Sequence, residues 1–499
     1  RINTTLVGGH FRSRRHVWRE PIYRNVWRLL RGFSDAELAA MIAPRRLIVD
    51  ASPGPTVDGP PPPREGRRAT AAPGTLTPAP IEDVRAEVAR ARRTYAALGV
   101  PDQLILVEPP GDVPFGGLAE LMTVLNLTPA ATAPTSLPHP LPASTTRHKH
   151  QFDQMVRYTQ GLLRDSARQR DRLWAAADTS SLDAWQTTCQ PYRRQLWDQV
   201  IGRLPDPTLP PNPRTRLAYQ RPAWTGYEVS LDLFPDVFAY GILLLPNDLQ
   251  PGEQRPVVVC QHGLEGRPQD LIVKEGRPYH QYAARLADRG YVVYAPQNPY
   301  IGRDDFRWLQ RKANPLGWSL FSFIVAQHAR TLEWLASLPY VDPARIAFYG
   351  LSYGGKTAMR VPALLDGRDG TPGYCLSICS GDFNEWIAKC ASTDLPMSYL
   401  FTPEWEMFEF DLGHTFNYAE MAYLIAPRPF MVERGHRDGV ALDEWVAFEY
   451  AKVQRRYADL QLSDHTEIAY FDGPHEIDAR ATFPFLDRHL NVLHPGTRP

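Results

Sequence analysis

A glycine-rich turn between a strand and a helix is the feature that most restricts the fold of this chain. The turn reads Gly350-Leu351-Ser352-Tyr353-Gly354-Gly355, between an apolar strand pattern at 345–349 and a helical pattern from 356. A serine placed there has a strained backbone, and glycine neighbours let strand and helix pass closely. The pattern G-x-S-x-G alone is a weak signal, because small residues are common in turns. Its position between strand and helix makes Ser352 a candidate nucleophile.

Strand and helix patterns alternate through the second half of the chain. A polar-faced helical stretch covers 151–204, and paired strands are predicted over 227–246. Further strands are predicted at 256–260, 291–295 and 345–349, with helices at 281–288 and 316–338. Such alternation predicts an α/β fold with a doubly wound, mainly parallel sheet.

An internal repeat divides the chain. Residues 36–45 read AELAAMIAPR and residues 419–428 read AEMAYLIAPR, and in each copy an apolar strand and then a helix follow. Several matched blocks in one order are poorly explained by chance. We therefore expect a partial hydrolase-like module at 1–128, a Pro-rich linker at 129–150 and a complete catalytic module at 151–499.

The first copy lacks the residues for chemistry. Where the second copy has Asp438, the first has Ser52-Pro53-Gly54-Pro55. Where the second has Gly473-Pro474-His475, the first has Pro109-Pro110-Gly111-Asp112. Its own nucleophile turn would fall before Arg1, so the start of the chain is expected to be incomplete. We expect residues 1–128 to be degenerate and non-catalytic, with a structural role.

A serine hydroxyl needs a base within hydrogen-bond reach, and His475 is the best candidate. It lies in the loop FDGPHEI between a strand pattern at 467–471 and the final helix pattern at 483–490. The order nucleophile, acid, histidine is the one that α/β-hydrolases use. Other histidines fit that order less well: His414, His436, His465 and His494.

Two carboxylates compete as the acid that would orient His475. Asp438 lies in the turn after the strand at 430–432, and Glu433 lies at the end of that strand. The position of Asp438 is the more usual one for a triad acid. Two backbone N–H groups should form an oxyanion hole, and we expect them from Tyr353 and Leu264.

Composition excludes some partners. Lys+Arg and Asp+Glu both number 55, which argues against nucleic acid or an anionic membrane surface as partner. No apolar run is long enough to span a membrane. The five cysteines form no metal-binding spacing, and we expect neither a metal nor a cofactor. Compartment and oligomeric state are not predicted.

Six segments resemble bacterial acetyl-xylan-esterase-like and dienelactone-hydrolase-like proteins of the α/β-hydrolase superfamily. They read QHGLEG, NPYIG, GLSYGGKTA, SGDFNEW, IAPRPFMVERGHRDG and DGPHEI, and they span roughly 151–495. The resemblance implies hydrolysis of carboxylic esters through an acyl-enzyme, without a cofactor. The Lys356 position is also similar to that in glucuronoyl esterases, but Tyr353 stands where those enzymes have an Arg.

The leading hypothesis is thus a serine esterase that acts on carbohydrate or small aryl esters. The segment 383–411 carries many aromatic side chains, which would suit such substrates or pack a core of their own. One alternative is a prolyl-oligopeptidase-like serine peptidase, to which GLSYGG is similar. Another is a binding pseudoenzyme, which the incomplete first module favours.

Overall fold

The computed structural model describes residues 2–60, 62–63, 65, 72–109, 115–128, 144–303, 305–368, 370–395 and 397–492. The chain forms two compact units. The first comprises Arg1–Thr159, Arg311–Gly317 and Phe401–Trp405, and the second Gln160–Gln310, Trp318–Leu400 and Glu406–Pro499.

The first unit is built on a parallel sheet of three strands. They are β1 (Thr4–Gly9), β2 (Arg46–Pro53) and β3 (Leu104–Val107), in that order across the sheet. Its helices are α1 (Asp35–Ala40), α2 (Ile81–Ala97) and α3 (Gly117–Val124). Side chains of β2, α1 and α2 form one apolar core, which includes Leu47, Val49, Ala36, Val88 and Tyr95.

The predicted linker differs from the structure at its end. Helix α4 runs from Ser144 to Trp174, so residues 144–150 are helical, whereas 129–143 lie outside the described residues. The last proline of the segment is Pro142, and after it nothing in the sequence prevents a helix from starting. Lys149 and Asp153, one turn apart, form an ion pair of 2.7 Å that supports this first part of α4. The boundary between the two units that lies in this helix falls between Thr159 and Gln160.

The second unit contains a nine-stranded sheet. The strands are β4 (Arg214–Gln220), β5 (Trp224–Phe234), β6 (Val237–Pro246), β7 (Arg255–Gln261), β8 (Val292–Gln297), β9 (Val341–Leu351), β10 (Leu376–Ser380), β11 (Phe430–Gly435) and β12 (Thr466–Phe471). Their order is β12-β11-β10-β9-β7-β8-β6-β5-β4. The six strands β7 to β12 pair in parallel, and β4, β5 and β6 pair antiparallel, with β6 next to β8. The predicted mainly parallel sheet is confirmed, with β4 as a strand that the sequence patterns missed.

Helices cover both faces of this sheet. They are α4 to α6 (Ser144–Trp174, Leu182–Thr188, Gln190–Gln195), α7 (Tyr282–Asp288), α8 (Asp305–Ala313), α9 (Leu320–Ala336), α10 (Tyr353–Leu364), α11 (Trp386–Ala391), α12 (Leu412–Thr415), α13 (Tyr418–Ile425), α14 (Asp443–Asp459) and α15 (Thr482–His489). Along β7, Val257 and Val259 join one core with residues of α9, α10, α13 and α14, whereas Val258 and Cys260 join a second core with residues of α7 and α15. Because side chains alternate along a strand, this division shows a doubly wound sheet. No helix among the described residues is long and apolar enough to cross a bilayer.

Candidate active site

Ser352 occupies the sharp turn between β9 and α10. Its backbone has φ +61° and ψ −120°, a region that residues other than glycine rarely adopt. A Cβ on Gly350 would lie 2.3 Å from the carbonyl oxygen of Gly354, and one on Gly354 would lie 2.5 Å from that of Gln261. Both positions therefore require glycine, as the turn pattern predicts. The strained geometry is held by the close packing of β7, β9 and α10.

The start of α10 provides an environment suited to negative charge beside Ser352. The first intrahelical bond runs from the Lys356 N–H to the Ser352 carbonyl, 2.8 Å, so the amide of Tyr353 precedes the helical hydrogen-bond ladder. Such free N–H groups and the helix dipole stabilise an anion at this end. The Ser352 N–H itself donates to the Ser380 carbonyl at the end of β10, 2.9 Å.

The structure brings His475 and Asp438 together. His475 Nδ1 lies 2.7 Å from Asp438 Oδ2, and the Asp438 side chain is only 1% exposed. The imidazole also lies against Gly381, where a Cβ would be 3.0 Å from two ring atoms. The Ser352 N–H donates to the carbonyl of the neighbouring Ser380, so the candidate nucleophile and the candidate base lie against adjacent residues, Ser380 and Gly381. Three loops that are far apart in sequence thus converge at one edge of the sheet.

Glu433, the alternative acid, is bonded elsewhere. Its Oε2 accepts hydrogen bonds from Tyr349 Oη at 2.9 Å and Ser380 Oγ at 2.7 Å. Its Oε1 accepts from the Ala479 N–H at 2.9 Å. Burial raises the pKa of this carboxyl above its usual value. Glu433 therefore braces three elements beneath the site, and Asp438 is the carboxylate that contacts His475.

The loop after β7 leaves one backbone amide available. The Gly263 N–H donates to Tyr279 Oη at 2.8 Å, and the Glu265 N–H to the Tyr300 carbonyl at 3.1 Å. Between them, the Leu264 N–H has no hydrogen-bond partner among the described residues. A Cβ on Gly263 would lie 3.0 Å from the Cβ of Ser352, so this loop passes directly over the serine. Leu264 therefore stays the predicted second oxyanion donor, since the amides on either side of it are engaged elsewhere.

His262 has a structural environment. Its ring is fully buried, and burial lowers its pKa to about 4. Nδ1 lies 2.8 Å from the carbonyl oxygen of Gly263, and Nε2 accepts the Asn298 N–H at 3.3 Å. These contacts tie the loop after β7 to the loop after β8 and so fix the position of Leu264.

The aromatic segment 383–411 contributes mainly to packing. Trp386, Tyr399 and Trp405 are buried, and only Phe408 and Phe410 expose large fractions of their surface, 38% and 46%. Those two phenylalanines are the most exposed aromatic residues of the segment.

Asp382 and Arg434 lie near the site, and the sequence motifs that contain them predicted no role for either. Asp382, after β10, accepts a hydrogen bond from Tyr418 Oη, and burial raises its pKa to about 6. Arg434, on β11, forms an ion pair of 3.2 Å with Asp438. Both are buried charges, and only the tertiary structure distinguishes them from ordinary surface residues.

The described part of the chain holds no group of three or more His, Cys, Asp or Glu side chains arranged to bind a metal ion. The site as it stands offers a strained serine, a histidine–carboxylate pair and two backbone amides. Those groups can perform nucleophilic acyl transfer.

No protein-family model matches the chain. Similar solved structures include a protein from Bacteroides fragilis NCTC 9343 that is assigned as an acetyl xylan esterase, with a TM-score of 0.48 and 18% identity over 59% of this chain and 77% of that one. A glucuronoyl esterase from Solibacter usitatus gives a TM-score of 0.46 and 15% identity over 62% and 94% of the two chains. An acetyl xylan esterase from Paenibacillus sp. R4 gives a TM-score of 0.40 and 17% identity over 62% of this chain and 95% of that one. Because all three TM-scores are below 0.5, the description of the fold and of the site depends on the geometry given above.

Proposed function

We propose that this chain is a serine carboxylic-ester hydrolase of the α/β-hydrolase type, with Ser352, His475 and Asp438 as its triad. The observation that carries the proposal is the 2.7 Å contact between His475 and the buried Asp438, beside a serine at φ +61°. A carboxylate at Nδ1 orients the imidazole and leaves Nε2 to act as the base. The alternative acid, Glu433, has both oxygens engaged by other donors.

In the proposed reaction, Ser352 Oγ attacks the ester carbonyl carbon while its proton passes to His475 Nε2. The carbonyl oxygen becomes an oxyanion, which the N–H groups of Tyr353 and Leu264 stabilise. When the intermediate collapses, the C–O bond to the alcohol breaks and His475 protonates the leaving oxygen. Water, deprotonated by His475, then attacks the acyl-enzyme and releases the acid and free Ser352. Asp438 stays ionised throughout and stabilises the imidazolium.

The proposed substrates are carbohydrate or small aryl esters. This proposal rests on the sequence motifs around Ser352, Asp438 and His475, which resemble acetyl-xylan-esterase-like proteins. The exposed rings of Phe408 and Phe410 are compatible with it, since aromatic faces pack against sugar and aryl groups.

We also infer that residues 1–128 are a partial, non-catalytic copy of the region around β10–β12. The shared order of elements supports this: β1, α1, β2, α2 and β3 come in the same order as β10, α13, β11, α14 and β12. The second set has α11 and α12 in addition, between β10 and α13, and each set of three strands pairs in parallel.

Replacement of Ser352 by Ala tests the esterase. We expect Ser352→Ala to lower kcat for p-nitrophenyl acetate by about 10⁶-fold, because triad members act as a unit. Ser337→Ala, at the end of α9 and away from the site, is the matched control and should keep wild-type turnover. Wild-type turnover by Ser352→Ala would refute the assignment.

Two further measurements separate the alternatives. Preference for aminoacyl-p-nitroanilides over acetyl esters would favour a peptidase of the prolyl-oligopeptidase kind. Failure of a fluorophosphonate probe to label Ser352 in folded protein would favour a binding pseudoenzyme.

A further inference from the structure

The guanidinium of Arg434 lies beneath the loop that carries Asp438. Its side chain is only 3% exposed. Nη2 donates to the carbonyl oxygens of Asp438 at 2.9 Å and Ala441 at 2.7 Å, and Nε donates to Asp443 Oδ1 at 3.0 Å. One side chain thus joins the beginning, the middle and the end of the segment between β11 and α14.

Arg434 and His475 share one carboxylate oxygen. Arg434 Nη1 lies 3.2 Å from Asp438 Oδ2, the same atom that lies 2.7 Å from His475 Nδ1. The other oxygen, Oδ1, accepts the Val440 N–H at 2.9 Å. With donors on both oxygens, the carboxylate cannot rotate away from the imidazole without breaking a buried charged contact. Removal of one partner from such a pair is costly, because it leaves an uncompensated buried charge.

Other charged groups surround this pair. Asp443, at the start of α14, accepts His436 Nδ1 at 2.7 Å, and the His436 ring stacks on Tyr470 of β12. Although burial opposes ionisation, hydrogen bonds from His436 and Arg434 lower the pKa of Asp443. After β10, the buried Asp382 also interacts electrostatically with His475. Arg434 is therefore the cation that forms an ion pair with Asp438, and Asp443 partly offsets its charge.

We propose that Arg434 is a positioning residue of the active site, which clamps the loop 435–443 and holds Asp438 against His475. This inference rests on the proposed function, since it assigns Asp438 and His475 to the triad. The guanidinium is permanently charged and presents its donors in a rigid fork, so it can hold several acceptors at once. Its charge also offsets that of Asp438.

The test compares Arg434→Met and Arg434→Lys with the wild-type enzyme on p-nitrophenyl acetate. We expect Arg434→Met to lower kcat by about 10–100-fold, the usual effect of losing a group that orients a catalytic ligand. KM should change little, because Arg434 does not contact the substrate. The acid limb of the kcat/KM profile should move to higher pH, since a positive charge near the imidazolium has been removed. Arg434→Lys keeps the charge but not the fork, so its acid limb should stay near that of the wild type and its kcat should be intermediate.

Arg437→Met is the matched control. Arg437 lies in the same turn but pairs with Asp472 at the surface, so this variant should keep wild-type kcat and pH profile. Asp443→Asn should have the opposite effect on the pH dependence. It leaves the charge of Arg434 less compensated, so the acid limb of the kcat/KM profile should move to lower pH.

The outcomes separate this inference from the proposed function. Unchanged kcat and pH profile in Arg434→Met, with Ser352→Ala inactive, would overturn the positioning role and leave the esterase intact. If Arg434→Met does not fold, Arg434→Lys and Asp443→Asn decide, and wild-type kcat and pH profiles in both would overturn it. Full turnover in Ser352→Ala would instead remove the triad on which the inference rests.

Discussion

The region around β1–β3 and the region around β10–β12 share a framework. In the first, the Ala36 N–H at the start of α1 donates to Glu87 Oε2 of α2 at 2.9 Å; in the second, the Ala419 N–H of α13 donates to Glu449 Oε2 of α14 at 3.1 Å. Tyr95 and Tyr457 are both buried, and their hydroxyls donate to the carbonyls of Arg45 and Arg428. In both regions the same contacts thus join one helix to the next and the second helix to the residues just before the strand.

The regions differ where their strands end. Gly8 pairs with Asp50 in the first sheet as Ser380 pairs with Glu433 in the second. Asp50 accepts the N–H groups of Ser52 and Gly117, just as Glu433 accepts that of Ala479. Only the second region then continues into a turn with Asp438 and a loop with His475. The corresponding positions 110–112 of the first region lie outside the described residues. The contacts that the two regions share belong to the core, whereas the residues proposed for chemistry lie in loops.

The largest expected contrast compares two buried aspartates. Asp438→Asn should lower kcat by about 10⁴-fold, because an amide favours the wrong imidazole tautomer. Asp50→Asn should leave turnover unchanged. It should lower the free energy of unfolding by about 1–3 kcal/mol, since its amide would face backbone N–H donors. Steady-state kinetics and denaturant unfolding of both variants check this. Equal loss of turnover in both would contradict the division between framework and chemistry.

A smaller contrast compares the glycines at the end of the first strand of each set: Gly9 is the last residue of β1, and Gly381 directly follows β10. Gly9 has φ +84° and Gly381 has φ +65°, so Ala should destabilise the fold at either position by more than about 1 kcal/mol. A Cβ at 381 would also push on the His475 ring, whereas one at 9 would lie 2.9 Å from the Gly54 Cα. We expect kcat to fall by about 10–100-fold in Gly381→Ala, through misplacement of the base, and not in Gly9→Ala. Melting temperatures and kcat for both variants test the pair, and loss of kcat in Gly9→Ala would contradict it.

The smallest effect concerns pH and the glutamates that cap α1 and α13. Burial raises the pKa of Glu449 to about 7. The unfolded chain releases this proton at lower pH than the folded protein does, so Glu449 should cost stability as pH rises from about 4.5 to 7. Glu449→Gln should therefore flatten the pH dependence of the free energy of unfolding over that range.

Glu87→Gln is its matched control, because it alters the same capping contact in the first region. Urea unfolding at several pH values measures both variants. A wild-type slope in Glu449→Gln would show that this carboxyl does not titrate as expected.

Much of the second unit could be predicted from sequence. The strands β7, β8 and β9 are apolar runs, and such runs indicate strands buried on both faces. Strand β4 was missed because Arg214–Gln220 is charged and exposed, as edge strands often are. The first residues of α4 were missed because the Pro-rich composition before them suggested that the linker continued to residue 150.

The order of residues along the chain was sufficient to propose Ser352, His475 and Asp438. The turn glycines, the strand before Ser352 and the loop before the last helix are local features, and local features depend on backbone sterics. The roles of Asp438 and Glu433 could not be separated in this way. Glu433 lies near the end of β11 and Asp438 follows it. The sequence does not show which of the two carboxylates accepts hydrogen bonds from other groups.

The sequence by itself determined the element order, the elbow at Ser352 and the residue types available for chemistry. Only the tertiary structure decided that Glu433 bonds to Tyr349, Ser380 and Ala479, that Asp438 bonds to His475, and that Arg434 lies beneath Asp438. The physical reason is that hydrogen bonds between loops depend on distances of a few ångströms. Those distances arise only when β9, β10, β11 and β12 pair side by side and bring their carboxyl ends to one edge.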